Sequence, residues 1–472
     1  LRMRYYGFYC WLSDAYGQHE GSTDPLIWQR WVRRGEALFA LVAARAGGSN
    51  GVGGIEWATN RLALEEAVID FADEAAAPSE KRGKPYLRQA MGVFGGAYFT
   101  QMVEMGLFED GSTGGHSIPR RSPESGLGAA SAYRAAIGEA VEEMMIEKIR
   151  TAIVTPTELD AMAGAAPSAI APRSPECALY EDFLFARAAK SDSSDVRRRR
   201  TLQLVLKTAQ SIGRRPDPDQ VRWYLFAGAG GGLDGQLEEQ RRTWEAYQVQ
   251  DLFQLGAAGL LAWALGLMHE TVDGLSLDEL KTEAAARLTE ADPLNAACSW
   301  VNYRTAIGAN GPKFENWAKA VSDRRHASAE RAWTAVSLLA ALHQRIDDDI
   351  DLGSTIDARF RPRGETHARS IYTELEWLRR HEAKPVAAMI ADYLAERIVR
   401  RHNWVALQKL RRQKDYTYLF ENRDGRLARR ADYVPVATTP RLAPAIQFLW
   451  DIAVIDENGP TDRGLALLAE AA

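Results

Sequence analysis

EAYQVQDLFQLGAAGLLAWALGLM, residues 245–268, is the stretch whose environment decides the fold. From Leu252 to Met268 the only polar side chain is Gln254, so a helix built from it has almost nothing to offer water and belongs in an interior. Two interiors compete, a protein core and a bilayer. The apolar run is seventeen residues long, is diluted by Gly256, Gly259 and Gly266, and has Glu245 and Asp251 just ahead of it. A bilayer asks for about 20 predominantly apolar residues. The stretch therefore reads as the core helix of a helical domain, and no membrane partner is expected.

Working outward, the 472 residues are 46% hydrophobic and 26% charged, which excludes disorder as the main state and allows several domains. Cys10, Cys177 and Cys298 are odd in number, far apart and without a CxxC, which argues against a disulfide framework or a zinc knuckle and fits a reducing cytoplasm. The aromatic opening, residues 1–12, is followed by Ser13 and Asp14 and does not resemble a signal peptide. An apolar element starting at residue 1 without an initiator Met predicts that the natural chain begins earlier.

Capping residues before proline recur at Asp24-Pro25, Ser122-Pro123, Thr155-Pro156, Ser174-Pro175, Asp217-Pro218 and Asp292-Pro293, each a helix start. With apolar spacing of three and four residues at Leu26, Trp28, Trp31, Val32 and Leu38, they predict a mainly α chain. The expected regions are an N-terminal helical region (1–85), a helix–hairpin–helix module (86–159), a small-residue linker with a short helix (160–195), a helical middle domain (196–384) and a basic C-terminal region (385–472).

Two segments repeat an order of elements. Around residues 94–137 an apolar helix is followed by Met105-Gly106-Leu107, a polar loop and another helix. The C-terminus repeats this through Ile452-Ala453-Val454 and Thr461-Asp462-Arg463-Gly464, pairing Phe99 with Ile446, Met102 with Leu449, Leu107 with Val454 and Leu127 with Leu465. Both segments resemble the second half of a winged helix-turn-helix domain, in which a helix exits through a Leu-Gly-Leu-like turn into a small β wing and a Thr-x-x-Gly helix start. The N-terminal copy departs from this pattern, with a longer insert and Ser122 to Gly126 at the start of its closing helix. The resemblance implies winged-helix-like α/β modules flanking the helical middle domain, and contact with DNA or with protein.

Signs of catalysis are weak. Gly230, Gly232 and Gly235 spell GxGxxG, but no second parallel strand follows, so a mobile loop is expected rather than a dinucleotide site. Asp347 to Asp351, near His343, lack calcium-loop spacing and read as a solvated acidic helix exit. Glu279 and Lys281 after Asp273 come nearest to a nuclease set, but helical spacing makes them diverge. Arg197 to Arg200 spread around a helix start. No catalytic residue, cofactor or metal is expected.

Residues 397–430 hold eleven Lys/Arg against three acids, a local charge of +8 that leaves −13 on the rest of a chain whose total is −5. Such segregation is the footprint of a phosphate-contacting surface. A basic helix followed by a hairpin turning at Asp424-Gly425 is expected, with Lys409, Arg411, Arg412, Lys414, Arg426, Arg429 and Arg430 as the nucleic-acid-binding residues. The favoured reading is a cytoplasmic, non-catalytic DNA-associated protein. The alternatives are a scaffold subunit docking an acidic partner in a bacterial multi-protein assembly, such as a phage-defence system, and an enzyme with an unrecognised site.

Overall fold

The computed structural model describes residues 1–48, 50–77, 85–109, 117–186, 193–228, 232–233, 235–323, 328–364 and 369–470. The chain is mainly helical, with small two-stranded antiparallel pairs among the described residues. It divides into two compact units, 1–221 with 441–472, and 222–440. The basic helix and hairpin thus belong to the second unit and the closing segment to the first, although both were expected in one region, 385–472.

The first unit is built around its opening helix, Tyr5–His19, in which every residue from Tyr5 to Tyr16 is buried. Sequence explains this: with Tyr, Phe, Cys, Trp and Leu on all sides, the helix has no wet face. Phe8 stacks on Phe39 of the Pro25–Arg45 helix at 4.1 Å, and Tyr5 and Tyr9 pack on Tyr98. Two charged side chains buried in this core are well engaged. Glu36 accepts from Tyr9, Tyr86 and the backbone N–H groups of Val93 and Phe94. Arg4 forks onto Glu176 and donates to the carbonyls of Gly164 and Ala166. Residues 160–173, expected as a linker, are therefore held in this core. Alanine and glycine there let backbone carbonyls come within 2.6–2.8 Å of the guanidinium.

The two related segments form the same turn. In the first, Leu107 N–H bonds Met102 O, Ser122 N–H bonds Leu107 O, Ser122 Oγ donates to Gly106 O, and Gly126 N–H donates to Ser122 Oγ. In the second, Val454 N–H bonds Leu449 O, Thr461 N–H bonds Val454 O, Thr461 Oγ1 donates to Ala453 O, and Gly464 N–H donates to Thr461 Oγ1. The pairings of Met102 with Leu449 and Leu107 with Val454 are those of the sequence alignment, while Ser122 stands where Thr461 does despite one more residue before its glycine. Between them lie short hairpins, Phe108–Glu109 with Arg120–Arg121 and Ile455–Asp456 with Gly459–Pro460. Gly106 and Ala453 both take a left-handed φ, +70° and +55°, which turns the helix end into the hairpin. Part of the first copy's loop, residues 110–116, lies outside the described residues.

The second unit is organised by the helix Gly235–Glu270, which contains the opening stretch. By length and composition it could cross a bilayer, but 67% of its most apolar window is buried inside the protein. Gly256 and Gly259 have a packing reason: a Cβ would stand 2.9 Å from Leu339 and 2.7 Å from Val321, so glycine sets how closely the neighbouring helices approach. The acids ahead of the run are buried and paired, Asp251 with Arg222 at 2.8 Å and Glu245 with Arg345 at 2.6 Å. Around it stand Leu277–Ala291, Trp300–Ala309, Ser328–Asp348, Ile371–Arg380 and Val386–Tyr393.

Candidate nucleic-acid interface

The basic segment begins at a π-helical turn, Leu394–Val399, continues as the helix Arg400–Gln413 and ends at Lys414, whose φ of +58° closes the helix. Only Ala406 is buried within Arg400–Gln413, so helical periodicity leaves the long side chains outside. Arg400, Lys409, Arg411, Arg412 and Lys414 are exposed and make no ion pair among the described residues. At 100° per residue, Arg400, Trp404 and Arg411 fall on one strip, with Arg401 and Arg412 beside it. Lys409 lies on the opposite side. Trp404 is 38% exposed, and the Arg401 guanidinium sits 4.4 Å over its ring.

The hairpin forms as expected, Phe420–Arg423 with Arg426–Arg429, turning at Asp424 and Gly425 with φ of +53° and +82°. Its cations, however, are engaged within the unit. Arg426 pairs with Glu279 at 2.9 Å and donates to Gly274 O, Arg429 pairs with Asp432, and Arg430 donates to Tyr418 O beside Glu421. The seven expected residues therefore separate: Lys409, Arg411, Arg412 and Lys414 face solvent, while Arg426, Arg429 and Arg430 serve the fold. Sequence reasoning passed over Arg400 and Trp404 as site residues; the i, i+4, i+11 spacing with Arg411 was the signal that could have found them.

His402 ties the helix to the strand entry, its Nε2 accepting the Leu419 N–H at 3.1 Å. Burial, and then the charge of Lys409, lowers its pKa from the ordinary histidine value, which keeps the ring neutral and able to accept.

The other candidates resolve into structural roles. The stretch before the glycine run is the helix Pro218–Ala227 rather than a strand, Gly235 opens the long helix, and Gly230 lies outside the described residues. The carboxylates after His343 form an exposed helix exit, at Asp347, Asp348 and Asp351, in which Asp347 also pairs with Arg304 and Arg379, and Asp349 pairs with Arg242 and caps the next helix. Glu279 completes a capping box with Ser276, while Lys281 turns to Asp392 at 2.6 Å, so the two never converge. Arg198 donates to the carbonyls of Phe183 and Leu184. Among the described residues, no group of three or more His, Cys, Asp or Glu side chains is placed to hold a metal ion.

Comparison with protein-family models, curated proteins and solved structures finds no match to this chain.

Proposed function

We propose that the chain is a cytoplasmic, non-catalytic DNA-associated protein that contacts the phosphate backbone through Arg400, Arg411, Arg412 and Lys414. The observation that carries this reading is that these exposed cations make no ion pair among the described residues, while nearby hairpin cations are matched in cis. From Arg400 to Arg411 the helix runs about 16 Å, long enough to follow several phosphates of one strand. Trp404 adds an exposed ring beside the cations, a surface on which a base or sugar can pack. The two helix–hairpin–helix segments of the first unit are read as winged-helix-like modules, and Ser122 and Thr461 at matching places support that reading.

The test is fluorescence anisotropy of labelled duplex DNA with the full chain across a salt series. Four phosphate contacts predict a slope of log K against log salt of about −3 to −4. Replacing Arg411, Arg412 and Lys414 together by Ala should flatten that slope by about 3, whereas Arg429→Ala should leave it nearly unchanged. Absence of binding by the unaltered chain at low salt, or an unaffected triple variant, overturns the reading. The same cations would then be assigned to docking an acidic protein.

A further inference from the structure

The helix Arg400–Gln413 has a second face, which the strip of Arg400 and Arg411 does not reach. Lys409 lies about 180° around the axis from Arg400 and His402 about 200°, so these two share a side. Lys409 is exposed and makes no ion pair among the described residues. Its charge reaches His402, whose pKa is lowered by burial first and by Lys409 second.

Residues 414–419 return along this face. The Leu419 N–H is held by His402 Nε2 at 3.1 Å. From Gln413 back to His402 is about 16 Å of helix, a distance that residues 414–419 cover as extended chain at about 3.3 Å each. The returning segment carries aromatic rings that no core takes in. Tyr416 is 48% exposed, Tyr418 is half-buried, and their rings stand 5.1 Å apart. Rings two residues apart that meet this way lie on one side of an extended chain, which turns Asp415 and Thr417 to the other. The Arg430 guanidinium sits 4.4 Å over the Tyr416 ring and donates to Tyr418 O at 2.9 Å, so the hairpin braces this aromatic platform.

The chemistry of the face selects its partner. A cation for a phosphate beside a ring for a base is the pairing that tracks an unpaired nucleic-acid strand. Bases in a duplex are already stacked on one another and offer only their edges in the grooves, so a surface ring gains a base only where the strand is unpaired. We infer that this face binds single-stranded DNA, with a phosphate on Lys409 and a base stacked on Tyr416, while Arg400 and Arg411 hold the adjoining duplex. The helix is thereby a reader of duplexes that carry an unpaired tail. The inference rests on the duplex reading above and adds the strand class to it.

The test is fluorescence anisotropy of the full chain with a blunt DNA duplex and with the same duplex carrying an unpaired tail of about ten thymidines. The tail is expected to tighten binding by about fivefold or more. Tyr416→Ala should remove that gain while leaving blunt-duplex affinity and the melting temperature unchanged, and Tyr416→Trp should keep the gain. Lys409→Ala should flatten the salt slope on the tailed duplex by about 0.7 and leave the slope on the blunt duplex as it was. The inference is overturned if the unaltered chain binds both duplexes equally, if the gain survives Tyr416→Ala, or if Lys409→Ala leaves the tailed-duplex slope unchanged. In each of those cases blunt-duplex binding with a steep salt slope leaves the phosphate-contact reading standing. If neither duplex binds at low salt, that reading fails and this inference falls with it.

Discussion

Gly464→Ala and Gly126→Ala should each destabilise the first unit, and by similar amounts. A Cβ at Gly464 would lie 2.3 Å from the carbonyl oxygen of Val454, and one at Gly126 would lie 2.3 Å from that of Leu107. Neither neighbour is a flexible side-chain end; both are backbone oxygens that also accept the N–H of Thr461 or Ser122. Relief therefore moves the turn itself, by about 1 Å, and overpacking of this kind costs about 1–3 kcal/mol. The better helix propensity of alanine returns at most about 1 kcal/mol. The net loss is about 1–2 kcal/mol, a fall of roughly 2–8 °C in the melting temperature of a unit this size. Gly128→Ala, in the same helix as Gly126 and with nothing within 4 Å of its Cβ, supplies the control and should be neutral or slightly stabilising. Scanning calorimetry on the full chain reads all three. If either clashing variant melts at or above the unaltered protein, the two glycines are not there for close approach and the structural equivalence of the two turns loses its meaning.

Two further outcomes follow from single residues. Ala453 holds a left-handed φ where the first copy has Gly106, so Ala453→Gly should raise the first unit's stability by about 0.5–1 kcal/mol, read by the same calorimetry. His343 is buried and accepts from Trp300 at 3.0 Å; burial, reinforced by Arg304 and opposed by Asp347, lowers its pKa well below the ordinary value. A depressed folded value means that its stabilising contribution is present above the unfolded pKa of about 6.5 and is lost as pH falls from there toward the folded value. Between pH 7 and 5 this amounts to about 2 kcal/mol in the second unit. His343→Phe should remove that part of the slope in urea unfolding, and equal slopes would refute it.

Much of the fold was legible because its signals are local. Asp24, Thr155, Ser174 and Asp292 cap the helices that follow them, since a side-chain oxygen two or three residues from an amide needs no tertiary help. The repeat was legible for a related reason: the helix exit keeps a fixed spacing, from Met102 to Leu107 and from Leu449 to Val454. What sequence could not tell was who meets whom. Arg426 and Arg411 are both basic residues of one segment, but only the first finds a carboxylate, Glu279, almost 150 positions away. Residues 160–173 look like a linker because small residues carry no periodicity, and it is Arg4, far upstream, that makes their carbonyls part of a core.

The first unit is closed by residues 441–472: Asp451 accepts the N–H of Met3 at 2.8 Å and pairs with Arg2. During synthesis the opening aromatic helix therefore meets Phe39 and Tyr98 early, but Phe448 and Asp451 follow only after the whole of residues 222–440. Until then Tyr6 lacks the Phe448 ring that packs edge-on against it. Loss of residues 441–472 would leave Arg2, Met3 and Tyr6 without these partners.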